Sequence, residues 1–203
     1  MFITFEGGEG TGKSTQVKLL AERLHAAGRI VLTTREPGGT PEAEILRGLL
    51  VTGETARWTA NEELLLNFAS RGSHIRQVIK PALAKGQVVI CDRFVDSSFV
   101  YQVVAGGADH ELFTQLITSI APDPVPKFTF ILDIDESVGA ARAKARVSGA
   151  NENRYERKGE VFHHKVRAAF AEIAKHQHPR CHLIDANGTA QDVSNRIWAK
   201  LHG

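Results

Sequence analysis

The chain has 203 residues, of which 42% are hydrophobic, 24% charged and 7% aromatic, a composition that excludes disordered and fibrous classes and fits one globular domain with a real core. Lys and Arg number 25 against 23 Asp and Glu, too even a balance to wrap a nucleic acid, so no nucleic-acid partner is expected and any affinity for phosphate must be local. No apolar run reaches the roughly 18 residues needed to span a bilayer, and Met1-Phe2-Ile3-Thr4-Phe5-Glu6 has neither a positive region nor a cleavage site. A cytoplasmic protein without a membrane partner is the expectation.

Short β-branched or aromatic runs predict strands at Phe2 to Phe5, Ile30 to Thr34, Val88 to Asp92, Phe128 to Ile134 and Cys181 to Asp185, with helical patterns between them. The runs are apolar without alternation, which indicates strands covered on both faces: a five-stranded parallel sheet flanked by helices, an α/β doubly wound architecture. Cys91 and Cys181 fall inside two of these runs and read as small buried hydrophobes rather than a disulfide or metal pair. Two helix starts are well marked. Thr40 precedes Pro41 with Glu42 and Glu44 in the first turn, and Thr59-Ala-Asn-Glu62 is a capping box that opens a long helix.

Directly after the first strand run comes Gly7-Gly8-Glu9-Gly10-Thr11-Gly12-Lys13-Ser14-Thr15, followed by the helical pattern Lys13 to Ala27. This is G-x-x-x-x-G-K-[ST] in the strand-before, helix-after setting that the motif requires. Glycines let backbone N–H groups turn inward on phosphates, the helix N-terminus adds partial positive charge, Lys13 bridges the β- and γ-phosphates, and the Ser14 hydroxyl ligates Mg²⁺. ATP or another nucleoside triphosphate is therefore expected here. A switch GTPase is excluded: the one Asp-x-x-Gly, Asp185-Ala-Asn-Gly188, follows the last strand, and no Asn-Lys-x-Asp guanine reader exists.

Farther along, Arg142 to Arg167 holds eight basic residues against three acids, with a polar break at Val147-Ser-Gly-Ala-Asn-Glu-Asn153. That pattern reads as a mobile basic lid at about 142–160 on a single domain covering 1–203.

Three further strings join the phosphate loop: Arg35-Glu-Pro-Gly-Gly-Thr40, Phe68-Ala-Ser-Arg71, and Asp92-Arg-Phe-Val-Asp-Ser-Ser98 with Tyr101-Gln102. In this order, over nearly the whole chain, they resemble the thymidylate kinases, nucleoside monophosphate kinases of the P-loop NTPase fold. The resemblance implies transfer of the γ-phosphoryl of ATP, with Mg²⁺, to dTMP by a homodimer. It implies that Phe68 stacks on thymine, that Arg71 donates to its O4, and that Ser98 and Gln102 meet the N3–H edge. Such contacts reject cytosine, which would leave a buried group unpaired.

Arg93, at the carboxyl end of a strand, suits the acceptor phosphate as a guanidinium fork. Asp92 then organises Mg²⁺ with Ser14. By resemblance Glu9 reaches the sugar 3′-OH, Tyr101 packs on the sugar, and Glu36 and Arg47 lie near the acceptor phosphate and metal. One branch of the family carries an Arg inside the phosphate loop. Here that position is Gly10, so the charge that stabilises transfer is expected from the lid, with Arg142, Arg146 and Arg154 as candidates. Val103 stands where the family usually has Gly, and Val147-Ser-Gly-Ala-Asn-Glu-Asn-Arg154 replaces the common Gly-Glu-Leu-Asp-Arg run. A kinase for dUMP or UMP, and a nucleotide-dependent binding or regulatory protein without transfer, are the alternatives.

Overall fold

The computed structural model describes residues 1–135, 137–139, 141–142, 154–177 and 179–202. Five strands, β1 (Phe2–Gly7), β2 (Val31–Arg35), β3 (Val88–Asp92), β4 (Phe128–Asp133) and β5 (Cys181–Asp185), form one sheet in the order β2-β3-β1-β4-β5. Every pairing is parallel, with Thr4 opposite both Cys91 and Thr129. The strands fall within two residues of their predicted bounds.

Alternation along the strands explains the unbroken apolar runs. Ile3, Phe5, Ile90 and Leu132 pack toward α1 (Lys13–Ala26) and the C-terminal helix, while Phe2, Val89 and Cys91 pack toward α3 (Ala60–His74). On that second side Ile131 and Cys181 meet Val166, Phe170 and Ile173 of the 17-residue helix Glu160–His176. Both cysteines are buried and free.

α2 (Pro41–Val51) begins at Thr40, whose hydroxyl accepts from the Ala43 N–H at 3.1 Å. At the head of α3 the Thr59–Glu62 capping box is formed from both sides. The α3 axis continues through a π-helical turn (Ile75–Ile79) into α4 (Lys80–Ala84). Likewise α5 (Val95–Ser98) runs into a π-helical turn (Phe99–Val104) before α6 (His110–Ile120). Counted in chain order, Glu160–His176 is α7 and Ala190–His202 is α8. No helix among the described residues is long and apolar enough to cross a membrane.

Since β1 is flanked by β3 on one side and β4 on the other, the chain leaves the carboxyl ends of β1 and β3 in the crevice where open α/β sheets bind ligands.

Candidate active site

The β1–α1 loop needs its glycines. Gly10 has φ +72, and a Cβ there would collide with the backbone of Gly139, so this position has no room for a side chain of any kind, an Arg included. Gly12 enters α1 at φ +92, turning the first N–H groups of the helix toward the loop's hollow. Lys13 is folded over that hollow, its Nζ donating to the carbonyls of Gly8 at 2.7 Å and Gly7 at 3.2 Å. Burial and the nearby Arg93 guanidinium push the Lys13 ammonium down to about 8, against the pull of Glu9, Asp92 and Glu6. Gly10, Thr11, Gly12, Thr15 and Arg142 line one cavity together with Gly188 at the far end of β5.

Beside the loop, the Ser14 hydroxyl donates to Asp92 Oδ2 at 2.8 Å. A hydroxyl and a carboxylate oxygen at that spacing fit a hard, oxygen-seeking cation such as Mg²⁺ that takes its remaining ligands from phosphate and water. No cluster of three or more His, Cys, Asp or Glu able to hold a metal occurs among the described residues.

One residue beyond Asp92 the backbone turns through Arg93, which has φ 69 and is the non-glycine residue with positive φ among those described. Buried Glu6 braces the turn: it accepts from the Phe94 N–H at 2.8 Å and from the Ser97 hydroxyl. Burial and Asp96 push the Glu6 carboxyl up to about 8, although Ser97, Arg93 and Phe94 oppose this. Arg93 itself donates to Glu9 Oε1 at 2.6 Å, Gly7 O at 3.0 Å, Ser97 Oγ at 3.1 Å and Tyr101 Oη at 3.1 Å. Its guanidinium carbon stands 4.9 Å over the Tyr101 ring. Burial holds the Tyr101 hydroxyl well above its ordinary range. Phosphate loop, strand end and α5 are thereby joined through one cation.

Arg93 opens onto a second cavity of about 750 Å³ with its mouth included, bounded by Glu9, Arg47, Asn67, Arg71, Phe94, Ser98, Tyr101, Gln102 and Tyr155. At its inner end Arg71, only 2% exposed, gives Nε to Glu36 Oε2 at 2.8 Å and Nη2 to Ser98 Oγ at 3.0 Å. His74 Nδ1 holds the other Glu36 oxygen at 2.9 Å, and Thr34 Oγ1 meets His74 Nε2 at 2.7 Å. Arg71 Nη1 is buried and has no hydrogen-bond partner among the described residues. A guanidinium fixed on two sides with its third edge unsatisfied is the mark of a donor reserved for a ligand acceptor.

Comparison with known proteins decides the family. The family model for thymidylate kinase matches residues 5–197. The chain is 48% identical to the thymidylate kinase of Caulobacter vibrioides over 97% of its own length and 93% of the relative. It is also 48% identical to the thymidylate kinase of Magnetococcus marinus, over 100% of this chain and 95% of that one. The crystal structure of thymidylate kinase from Ehrlichia chaffeensis superposes with a TM-score of 0.80 at 35% identity, covering 100% of this chain and 98% of the other. The chain belongs to the thymidylate kinase family.

Its fold is accordingly that of the P-loop NTPases, and most of the residues that the thymidylate kinase resemblance singled out converge on the two cavities. Gly7, Gly8, Glu9, Gly10, Thr11, Gly12, Lys13, Ser14 and Thr15 form the loop and helix start. Arg47, whose Nη1 reaches the Pro37 carbonyl at 3.1 Å, borders the second cavity with Arg93, Ser98, Tyr101 and Gln102.

Two expectations change. Phe68 is fully buried among Leu64, Ile75, Phe94 and Phe113, with its ring 5.9 Å from that of Phe113; it lies behind Arg71, 4.7 Å from the guanidinium carbon, and does not reach the cavity. Asn67, four residues before Arg71 on α3, lines the cavity instead. Glu36 lines the second cavity, with its two oxygens bonded to Arg71 and His74. Arg154, expected as a lid cation, is wholly buried: it donates to the carbonyls of Leu50, Glu54 and Thr55 and to Glu63 Oε1 at 2.6 Å.

Arg142 is exposed on the loop cavity, and Arg146 lies outside the described residues, as does most of the expected lid. Reading the sequence alone missed Asn67, Phe94, Ser97, His74, Glu63 and Tyr155. For Asn67 a signal was present, since i and i+4 share a helix face as i and i+3 do.

Proposed function

We propose that this chain, as one kinase domain over residues 1–203, transfers the γ-phosphoryl group of ATP to the 5′-phosphate of dTMP, giving ADP and dTDP. The observation that carries the reading is the pairing of a phosphate-cradling loop with a second cavity that ends on the unsatisfied Arg71 Nη1. A carbonyl oxygen at the O4 position of thymine would satisfy that donor, whereas the amino group of cytosine could not.

In this reading Lys13 and the loop amides hold the donor phosphates, and Arg93 holds the acceptor phosphate between the two cavities. An oxygen of the acceptor phosphate bonds to the γ-phosphorus as the bond to the β,γ-bridging oxygen breaks, and the leaving electron pair stays on ADP. No covalent enzyme intermediate is needed, because alignment and charge neutralisation carry the step. Arg142 adds positive charge at the donor side, with Arg146 as a further candidate. Ser14 and Asp92 would hold Mg²⁺, which supplies charge neutralisation for the phosphates when bound. Glu9 and Tyr101, locked to Arg93, are left to face the acceptor's sugar.

A homodimer belongs to the same reading, supported by the exposed side chains of Ile45 (70%) on α2 and Leu65 (47%) on α3, two helices that pack together. The two buried free thiols support a reducing, cytoplasmic setting. ADP release measured with ATP and Mg²⁺ should depend on added dTMP; binding of ATP with no acceptor-dependent turnover would instead mark a nucleotide-dependent regulatory protein.

A further inference from the structure

Gln102 is 3% exposed, at the edge of the second cavity where the acceptor base is read above to lie. Resting on that reading, we propose that Glu63 and Tyr155 are positioning residues for base specificity: they lock the Gln102 amide so that its carbonyl oxygen, and not its NH₂, faces the base. Gln102 Nε2 donates to Glu63 Oε2 and to Tyr155 Oη, both at 3.0 Å, so both amide protons are spent. A carboxylate only accepts. Turning the amide over would set Gln102 Oε1 against Glu63 Oε2, two acceptors with no proton between them.

Tyr155 cannot rescue the flipped amide, because its hydroxyl proton is already given to Glu63 Oε2 at 2.8 Å. Glu63 is itself pinned through Oε1 by Arg154 Nη2 at 2.6 Å and Lys158 Nζ at 2.8 Å. Burial favours the neutral acid at Glu63, yet the bonds from Lys158, Gln102 and Tyr155 and the Lys158 charge overcome it and hold the carboxyl below its ordinary range. The carboxylate thus stays an acceptor.

What remains is Gln102 Oε1, which accepts no hydrogen bond among the described residues. Such an acceptor pairs with the N3–H of thymine or uracil and opposes the N3 lone pair of cytosine. Arg154, Tyr155 and Lys158 fall in the carboxyl-terminal part of the expected lid, so that part and the reading of the base share one carboxylate.

The test compares Glu63→Gln, Tyr155→Phe and Gln102→Ala, measuring kcat/KM for dTMP, the inhibition constant of dCMP as a competitor, KM for ATP and Tm. Glu63→Gln keeps the volume but can donate as well as accept, so both Gln102 orientations become satisfiable. The preference for dTMP over dCMP should fall about tenfold, with KM for ATP unchanged. Tyr155→Phe should lower it about threefold. A Gln102→Ala variant with unaltered preference would overturn the site reading itself. A lowered preference in Gln102→Ala, with wild-type preference in both other variants, would overturn the lock and leave that reading standing. If Tm shows Glu63→Gln to be unfolded, Tyr155→Phe decides in the same way.

Discussion

Arg71 shows how a side chain can be charged, buried and useful at once. Glu36 holds Nε, Ser98 holds Nη2, the Phe68 ring lies 4.7 Å beneath the guanidinium carbon, and only Nη1 is left over. In the proposed reading Nη1 meets the acceptor base and no part of ATP, so Arg71→Ala should lower kcat/KM for dTMP by roughly 10- to 100-fold, the worth of a hydrogen bond from a charged group, while KM for ATP stays as in wild type; an equal loss for both nucleotides would misplace the base.

Lys13 yields a pH prediction. Its burial brings the ammonium down to about 8, so in the free enzyme the cation is lost as pH rises through that value, and kcat/KM for ATP should decline above about pH 8. Bound phosphates restore the proton, so kcat should hold to higher pH than kcat/KM. Lys13→Ala should cost about 10²- to 10³-fold in kcat and abolish this limb; a limb that survives the substitution belongs to another group.

At the scale of elements, the turn after β3 and the segment from Arg154 to Lys158 are both fixed by buried carboxylates. Glu6 secures the first, closing on Phe94 and Ser97, and Glu63 secures the second, closing on Arg154, Tyr155 and Lys158. The two candidate lid cations among the described residues therefore differ in kind. Arg154 bonds four groups from full burial, so Arg154→Ala should destabilise the fold by about 3–5 kcal/mol, as breaking a buried pair does, seen as a lowered Tm. Arg142 is exposed at the loop cavity, so Arg142→Ala should lower kcat with Tm within about a degree of wild type. Reversed outcomes, with Arg154→Ala folding normally and losing only kcat, would return Arg154 to the chemistry.

At the scale of the whole molecule, the order β2-β3-β1-β4-β5 places the loop after β1 beside the turn after β3, where Arg93 bonds Gly7 and Glu9 of the loop and lines the second cavity. The proposed phosphoryl transfer uses this placement to bring donor and acceptor phosphates toward one cation. The proposed homodimer rests on the surface rather than the core. The double variant Ile45→Asp, Leu65→Asp should sediment at half the wild-type mass with its fold intact, and an unchanged dimer mass would exclude this face as the interface.

Local chemistry determined much of this protein from its sequence. The five strands, the caps at Thr40 and Thr59, the phosphate loop with Lys13 and Ser14, and the Asp92-Arg93 strand end were all legible, because each depends on residues adjacent in the chain: apolar runs, hydroxyl caps, glycines that permit positive φ. Tertiary structure decided what depends on neighbours distant in sequence. Phe68 and Asn67 sit on one helix, yet only packing against Phe113 turns the first into core and leaves the second to the cavity. Arg154 and Arg142 are alike in the sequence, and only the carbonyls of 50, 54 and 55, with Glu63, make the first an anchor. Burial and hydrogen-bond partnership are properties of the folded neighbourhood, and a side chain acquires its function when that neighbourhood has consumed every other use for its atoms.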